Sequence, residues 1–341
     1  HGNEVGLAHE HILDVNDINA WDNWDNMPVF ITATCEFSRF DDYERTSAGE
    51  LIFLNSAGGG IALLTTTRLV YSLHNYSLNT NFYKVAFKRN RNNEKYHLGD
   101  LMKETKNETK DDSGNKLNFT LLGDPALELA YPEYKVITDS VNSIPVSEEL
   151  DTLKAFSKIN ISGYVCYSDS TIMENFNGRV YPSIFDKVQI KTTLGNDGIN
   201  TMEFDVQENI IYKGKASVVN GRFEFSFPVP KDISYNIGKG KIAYYAEDSL
   251  IDANGYFNGI HVGGTADFII SDNYGPEIQL YLNNNKFNTG GITDKDPIIY
   301  AEIYDENGIN TVGNGIGHDI IGVLDENINE MVELNDYYHA D

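Results

Sequence analysis

A lone cysteine at the border between an apolar and a polar run is the first candidate for chemistry. Cys35 lies in "PVFITATCEFSRFD". Its thiolate could act as a nucleophile, but a cysteine in an apolar strand is more often a packed side chain. Glu36, which follows it, could shape a substrate pocket or face solvent. The residue types alone leave both interpretations of both residues open.

A nucleophilic thiol needs an acid or base partner close in space, whatever their separation in sequence. The candidate histidines are His1, His9, His11 and His74. His1 stands out because a glycine follows it. Gly2 would let the backbone approach a substrate and would leave an amide N–H to point at a developing oxyanion. A histidine and a cysteine at the same edge of one sheet would form a site.

Strand and helix patterns alternate around this cysteine. Residues 29–34 form a β-branched run after Pro28 and predict a buried strand that ends at the thiol. Residues 47–50, "SAGE", have the spacing of a capping box, so a helix should begin there. Glycines 58–60 should end that helix, and residues 61–67 predict a second buried strand. A further helix is predicted from one apolar face, which comprises Leu78, Phe82, Val85 and Ala86.

These segments predict a parallel α/β sheet. From about Lys135 the sequence pattern changes to β-rich segments separated by Gly, Asn and Asp. Asn220-Gly221 between two strand-like runs is typical of a β-hairpin. Residues 155–271 indicate an antiparallel sandwich of the immunoglobulin-like kind. We therefore predict three parts: 1–135, an α/β catalytic portion; 136–273, an immunoglobulin-like β-sandwich; and 274–341, a further β-module that is incomplete.

Charge and composition limit the classes of partner. The 341 residues carry a formal net charge of −25. Residues 1–135 hold 13 basic and 20 acidic side chains, and the remainder holds 13 and 31, so the β-rich part is the more acidic. Such a surface disfavours nucleic acid and suits a solvated, extracellular module. The two cysteines, Cys35 and Cys166, fall in different predicted domains, so no disulfide is expected.

Five segments together resemble one known family. They are "HGNEVGL", "PVFITATCEFSRFD", "SAGELIFLNSAGGG", "IALLTTTR" and "LLGDPALELAY". In order and spacing they are similar to the second half of the gingipain-type (C25) cysteine peptidase domain, which has a caspase-like fold. "ITATCEFS" looks most like the cell-surface sortases of the type IX secretion system of Bacteroidetes.

The resemblance implies a role for each matching position. His1 corresponds to the histidine of the family's His-Gly motif, and Cys35 corresponds to its nucleophile. Gly2 and Cys35 would then supply the amides of an oxyanion hole. The acidic residue that orients the histidine would lie upstream of His1. We expect the chain to be a fragment that lacks the N-terminal part of its catalytic domain and that could be inactive alone.

For a sortase, the resemblance implies removal of a C-terminal sorting domain from secreted cargo and attachment of the cargo to a surface anchor through a Cys35 thioester. The expected partners are secreted proteins with such domains, a lipopolysaccharide acceptor and other type IX secretion components, at the extracellular face of the outer membrane. Two alternatives stay open. One is a hydrolytic gingipain-like protease, and the other is a degenerate peptidase that serves as an adhesive or scaffolding surface protein.

No cofactor is expected for thiol chemistry of this kind. His9 and His11 flank a glutamate, but a third metal ligand is not evident in the sequence. Turns at Asp252, Asp294 and Asp305 carry carboxylates and amides that could hold a structural calcium ion, although turn chemistry explains them equally well. The metal prediction is therefore none for the active site, with calcium as a structural possibility.

Overall fold

The computed structural model describes residues 2–3, 5–7, 12–92, 94–111, 113–198, 200–231, 233–266, 275–288, 290–305, 309, 320–325, 327 and 331–339. The chain divides into two compact units, His1–Tyr131 and Pro132–Asp341. Separate clusters of buried apolar side chains form the cores of the two units. The division into three parts at residues 135 and 273 stays a prediction.

In its described residues, the first unit contains five strands and four α-helices. In chain order they are β1 (Gly6–Leu7), β2 (Leu13–Asp14), α1 (Val15–Asn19), β3 (Val29–Ile31), α2 (Ala48–Leu54), β4 (Ala62–Thr66), α3 (Ser72–Ala86), α4 (Leu98–Glu108) and β5 (Phe119–Leu122). Short 3₁₀ turns lie at Trp24–Asn26 and Asn115–Asn118.

A three-stranded sheet in the order β3-β4-β5 is the centre of this unit. β3 and β4 are parallel and joined through α2, which confirms the α/β prediction for this part of the chain. β5 pairs with β4 in the antiparallel direction. Buried side chains of α3 and α4 complete one core with β4, and the apolar face predicted for α3 is confirmed.

The predicted capping box at the start of α2 is confirmed. The Glu50 carboxylate accepts hydrogen bonds from the amide and hydroxyl of Ser47, at 2.9 and 2.7 Å. Inside the first turn, the Gly49 amide donates to the Phe37 carbonyl at 2.8 Å. A Cβ on Gly49 would lie 1.7 Å from Ser38 Oγ, so only glycine lets α2 pack this closely against the segment after Cys35.

The strand that leads to Cys35 is shorter than its apolar run. β3 ends at Ile31, whereas the pattern predicts a strand to Thr34. The Thr32 amide still donates to the Leu64 carbonyl at 3.0 Å, but residues 34–36 form a bend. Cys35 therefore lies in the loop between β3 and α2 instead of at the end of a strand. Contacts from distant segments hold that bend, as described below.

In the described part of the second unit, the regular elements are strands and two short 3₁₀ turns. The strands are β6 (Tyr134–Val141), β7 (Ile144–Pro145), β8 (Leu153–Ala155), β9 (Lys158–Cys166), β10 (Gly178–Phe185), β11 (Gln189–Thr192), β12 (Glu203–Val206), β13 (Ile210–Lys213), β14 (Ala216–Val218), β15 (Arg222–Pro228), β16 (Gly238–Lys239), β17 (Lys241–Glu247), β18 (Asp252–Phe257), β19 (His261–Thr265), β20 (Glu277–Leu282), β21 (Ile299–Tyr304), β22 (Ile321–Gly322) and β23 (Val332–Glu333). Short 3₁₀ turns lie at Asn196–Gly198 and Asn335–Tyr337.

Nine of these strands form one sheet with the main order β13-β10-β17-β18-β6-β9-β15. Its two ends approach each other, because the Tyr212 ring of β13 stacks on Phe225 and Phe227 of β15, with centroids 5.6 and 4.6 Å apart. One pair, β18 and β6, is parallel. The β-rich prediction is confirmed for this unit, but its immunoglobulin-like arrangement is not confirmed.

The predicted hairpin turn at Asn220-Gly221 is confirmed. Both residues have positive φ, +50° and +74°, as a type I′ turn requires. Val219 and Arg222 exchange backbone hydrogen bonds at 2.9 and 3.0 Å across it. Beyond this turn the two strands part, since β14 pairs with β10 and β15 pairs with β9.

Candidate active site

Cys35 is partly exposed and is not in a disulfide. Its thiol donates to the Val70 carbonyl oxygen, with Sγ and oxygen 3.4 Å apart. Part of the side chain also packs against the core formed with α3 and α4. A thiol that acts as a nucleophile must first give its proton to a base.

The residue after the thiol has an unusual backbone conformation. Glu36 has φ of +54°, in the left-handed region that non-glycine residues rarely adopt. Its amide donates to the Arg68 carbonyl at 3.3 Å, and its carboxylate lies 3.3 Å from the Arg39 guanidinium. The chain thus reverses immediately after Cys35. Glu36 is 19% exposed, and its role in a substrate pocket stays a prediction.

An exposed ion pair fastens the next part of the loop to the end of β4. The Arg68 guanidinium donates to both oxygens of Asp41, at 3.0 and 2.6 Å. Hydrogen bonding to Arg68 lowers the pKa of Asp41 and, with the charge of Arg68, outweighs the opposing effect of burial. The pair is bidentate, so it fixes orientation as well as distance.

A buried network of hydroxyl groups lies under the loop. Thr32 Oγ1 donates to Thr65 Oγ1 at 2.8 Å, and Ser38 Oγ lies 2.9 Å from the same atom. The Thr66 hydroxyl donates to the Thr34 carbonyl. All of these side chains are 5% exposed or less. The network links both ends of the Cys35 loop to β4.

Two buried asparagines hold the loop from the side of α3. Asn75 Nδ2 donates to the Ala33 carbonyl at 3.1 Å, and Asn115 Nδ2 donates to Asn75 Oδ1 at the same distance. Asn115 Oδ1 in turn accepts from the Tyr71 amide at 2.7 Å. Tyr71 follows Val70, whose carbonyl contacts the thiol. The amides therefore fix both the backbone before Cys35 and the segment that contacts its sulfur.

The start of the chain reaches the same loop through Gly2. Its amide donates to Thr34 Oγ1 at 2.7 Å, although the two residues are 32 positions apart. His1 lies outside the described residues. The sequence neighbours of both predicted catalytic residues are thus in contact. The roles of His1, Gly2, Cys35 and Glu36 stay predictions, and an oxyanion role for Gly2 would require its amide to change partner.

His74, one of the four candidate histidines, lies in the first turn of α3 and pairs with an acid. Its Nδ1 is 3.3 Å from Asp111 Oδ1, and the Asp111 side chain is 1% exposed. Burial raises the pKa of Asp111, but hydrogen bonds from Ser113 and from the Lys116 amide outweigh it, so the net pKa is lowered. This pair anchors the loop that carries Asn115.

The described part of the chain holds no group of three or more His, Cys, Asp or Glu arranged for a metal ion. His9 and His11 lie outside the described residues, as does most of the turn that begins at Asp305. Within the described ranges, no helix combines the length and apolarity needed to cross a membrane. A structural calcium ion and the absence of a cofactor both stay predictions.

The segment that contains this site is similar to a known protein family. Residues 1–130 match the sequence model of Peptidase family C25. We call residues 1–130, which resemble this family, the C25 segment. The C25 segment contains His1, Gly2, Cys35 and the whole network around the loop. No curated protein sequence matches the chain.

Two solved structures show how much of a longer protein the chain spans. The dimeric latent PorU from Porphyromonas gingivalis is 30% identical over 82% of this chain and 27% of that chain, with a TM-score of 0.43. The complex of RgpB pro- and mature domains from Porphyromonas gingivalis is 14% identical over 77% of this chain and 52% of that chain, with a TM-score of 0.33. The chain spans about a quarter of the first protein and half of the second.

Sequence reasoning missed the polar groups that support the loop of the C25 segment. A signal for the hydroxyl network is present, because "TAT" and "TTT" directly follow two apolar runs that end at neighbouring positions of one sheet. Asn75 and Asn115 carry no comparable signal, since an asparagine in a helix or a turn is ordinary. Only the tertiary structure brings these amides to Ala33 and Tyr71.

Proposed function

We propose that the C25 segment carries the nucleophile and the acid-base histidine of a cysteine endopeptidase of the gingipain type. The observation that carries the proposal is the Gly2–Thr34 hydrogen bond of 2.7 Å, because it brings the neighbours of His1 and Cys35 together within a segment that matches Peptidase family C25. The partial exposure of Cys35 supports the same role, since a nucleophile must be reached by substrate.

In the proposed reaction, His1 takes the proton that the Cys35 thiol donates to Val70 in the structure. The thiolate attacks the carbonyl carbon of a peptide bond and forms a C–S bond, while backbone amides stabilise the oxyanion. The C–N bond breaks as His1 returns the proton to the leaving amine, which leaves a thioester. Water or an amine then attacks the thioester, gives its proton to His1, and releases the Cys35 thiolate. No metal or cofactor takes part.

The finer proposal is that the acceptor is an amine and that the enzyme is a sortase of PorU type. Its support is the resemblance of the segment "ITATCEFS" to the sortases of the type IX secretion system. On this proposal the substrates are secreted proteins with C-terminal sorting domains, the anchor is surface lipopolysaccharide, and other secretion components assist at the extracellular face of the outer membrane. The acidic surface of the β-rich part suits that location.

Product analysis tests both levels of the proposal. The full-length protein is incubated with a cargo that carries its sorting domain and with a labelled primary amine, and the new C-terminus is identified by mass spectrometry. We expect cleavage with the label attached to the cargo. The Cys35→Ala variant should lose processing while it keeps the wild-type circular dichroism spectrum, and Cys166→Ala should retain activity because that thiol is fully buried in the other unit.

Other outcomes distinguish the alternatives. Cleavage that yields only a free carboxylate would contradict the sortase and leave a hydrolytic gingipain-like protease. Normal processing by Cys35→Ala would contradict both enzymes. A wild-type protein that folds and binds cargo without any Cys35-dependent cleavage would favour the degenerate surface protein.

A further inference from the structure

Thr34 is the meeting point of two segments that are distant in sequence. Its hydroxyl oxygen accepts a hydrogen bond from the Gly2 amide at 2.7 Å, and Cys35 is the next residue in the chain. The Thr34 side chain is only 5% exposed, so water competes little for this hydrogen bond. Valine would fill nearly the same volume at this position but would lack the hydroxyl that accepts the hydrogen bond from Gly2.

The backbone of Thr34 is itself fixed. The Thr66 hydroxyl donates to the Thr34 carbonyl, and Asn75 donates to the carbonyl of the preceding residue at 3.1 Å. Thr66 is completely buried on β4, and Asn75 is 3% exposed on α3. Because the residue is held from two elements, its hydroxyl lies at a defined place relative to both the sheet and the thiol.

We propose that Thr34 is a positioning residue, whose hydroxyl holds the His1-Gly2 segment at the distance from Cys35 that the reaction needs. The inference rests on the proposed function. A small displacement of an acid-base group or an oxyanion donor slows a reaction far more than it weakens substrate binding. Loss of this hydrogen bond should therefore act on the chemical step and on the pairing of the thiol with its base.

Three matched variants of the full-length protein test the proposal. Thr34→Val removes the acceptor at constant volume, and Thr34→Ser keeps it. Thr105→Val is the control, because Thr105 is fully buried on α4 and its hydroxyl has no hydrogen-bond partner within the described part of the chain. Each variant is examined for kcat and KM on a peptide from the cargo, and for the rate at which iodoacetamide alkylates Cys35 as a function of pH.

We expect Thr34→Val to lower kcat by about tenfold or more, with KM changed by less than about twofold. The midpoint of the Cys35 alkylation profile should shift by about half a pH unit or more, because the thiol no longer meets its base at the native distance. Thr34→Ser should stay within about threefold of wild type in kcat. Thr105→Val should match wild type in both measurements.

Several results would overturn the inference. Unchanged kcat in Thr34→Val would show that the hydrogen bond is irrelevant, and a higher kcat would show that Thr34 blocks the Gly2 amide. An equal loss in Thr34→Ser or Thr105→Val would assign the effect to packing. If the wild type shows no Cys35-dependent cleavage, the proposed function fails, and the alkylation profiles decide the role of Thr34 alone: superimposed profiles of wild type and Thr34→Val would contradict it.

Discussion

At the residue scale, the loop around Cys35 is held by polar side chains that are themselves buried. Thr65, Thr66 and Asn75 are each 3% exposed or less, and each has a hydrogen-bond partner on or beside the loop. Such bonds add little net stability, but leaving one buried partner unsatisfied is costly. The arrangement thus penalises every conformation of the loop except one, which suits a segment that must present a thiol in a fixed place.

Asn75 provides the clearest test at this scale. Asn75→Ala leaves the Ala33 carbonyl and Asn115 Nδ2 without their partner, so we expect it to lower the free energy of unfolding of the first unit by about 1–3 kcal/mol. Both tryptophans, Trp21 and Trp24, lie in this unit, and urea unfolding of the full-length protein followed by their fluorescence measures the loss.

Asn79→Ala is the control on the same helix. Asn79 Oδ1 is buried without a hydrogen-bond partner in the described part of the chain, so its removal should cost markedly less than removal of Asn75. Equal losses in the two variants would show that helix packing, and not the bond to Ala33, accounts for the effect.

At the element scale, the sequence correctly predicted the features that depend on residues close together in the chain. The Ser47 capping box, the apolar face of α3 and the Asn220-Gly221 turn depend on neighbouring residues, and all three are confirmed. The predicted end of β3 was wrong by three residues, because the bend at 34–36 is set by hydrogen bonds to residues as distant as Gly2 and Arg68. Helix α4 was missed although its buried residues Leu98, Leu101, Met102 and Thr105 have helical spacing. The antiparallel direction of β5 was missed because it depends on pairing with the distant strand β4.

The segment between α4 and β5 contains a carboxylate, that of Asp111, whose contribution to stability depends on pH. Asp111 accepts hydrogen bonds from Ser113 and the Lys116 amide, and these outweigh burial and lower its pKa. Because the folded pKa lies below the unfolded value of about 3.9, the carboxylate stabilises the fold above that pH, and this contribution disappears as pH falls through the folded pKa.

We therefore expect the melting temperature of the first unit to fall as the pH drops below about 4, and Asp111→Asn to flatten this part of the curve. Tryptophan fluorescence during heating measures the transition. Asp41→Asn is the matched control, because Asp41 also has a lowered pKa but its side chain is 49% exposed. Parallel curves for wild type and Asp111→Asn would exclude Asp111 as the anchor.

At the scale of the whole molecule, the two units have separate cores, and each contains one cysteine. Cys35 packs partly against a core of the first unit, whereas Cys166 on β9 is fully buried in the core of the second. Burial raises the pKa of the Cys166 thiol. The two thiols therefore differ in accessibility, and each reports on its own unit.

Alkylation of the full-length native protein should modify Cys35 rapidly and leave Cys166 unmodified, as read by mass spectrometry of the two peptides. In a urea titration, Cys166 alkylation then measures unfolding of the second unit, while tryptophan fluorescence measures that of the first. Since none of the buried residues that the structure describes belongs to the cores of both units, we expect two midpoints. Asn75→Ala should lower only the first midpoint. A single midpoint that shifts as a whole in this variant would show that the two units unfold as one cooperative structure.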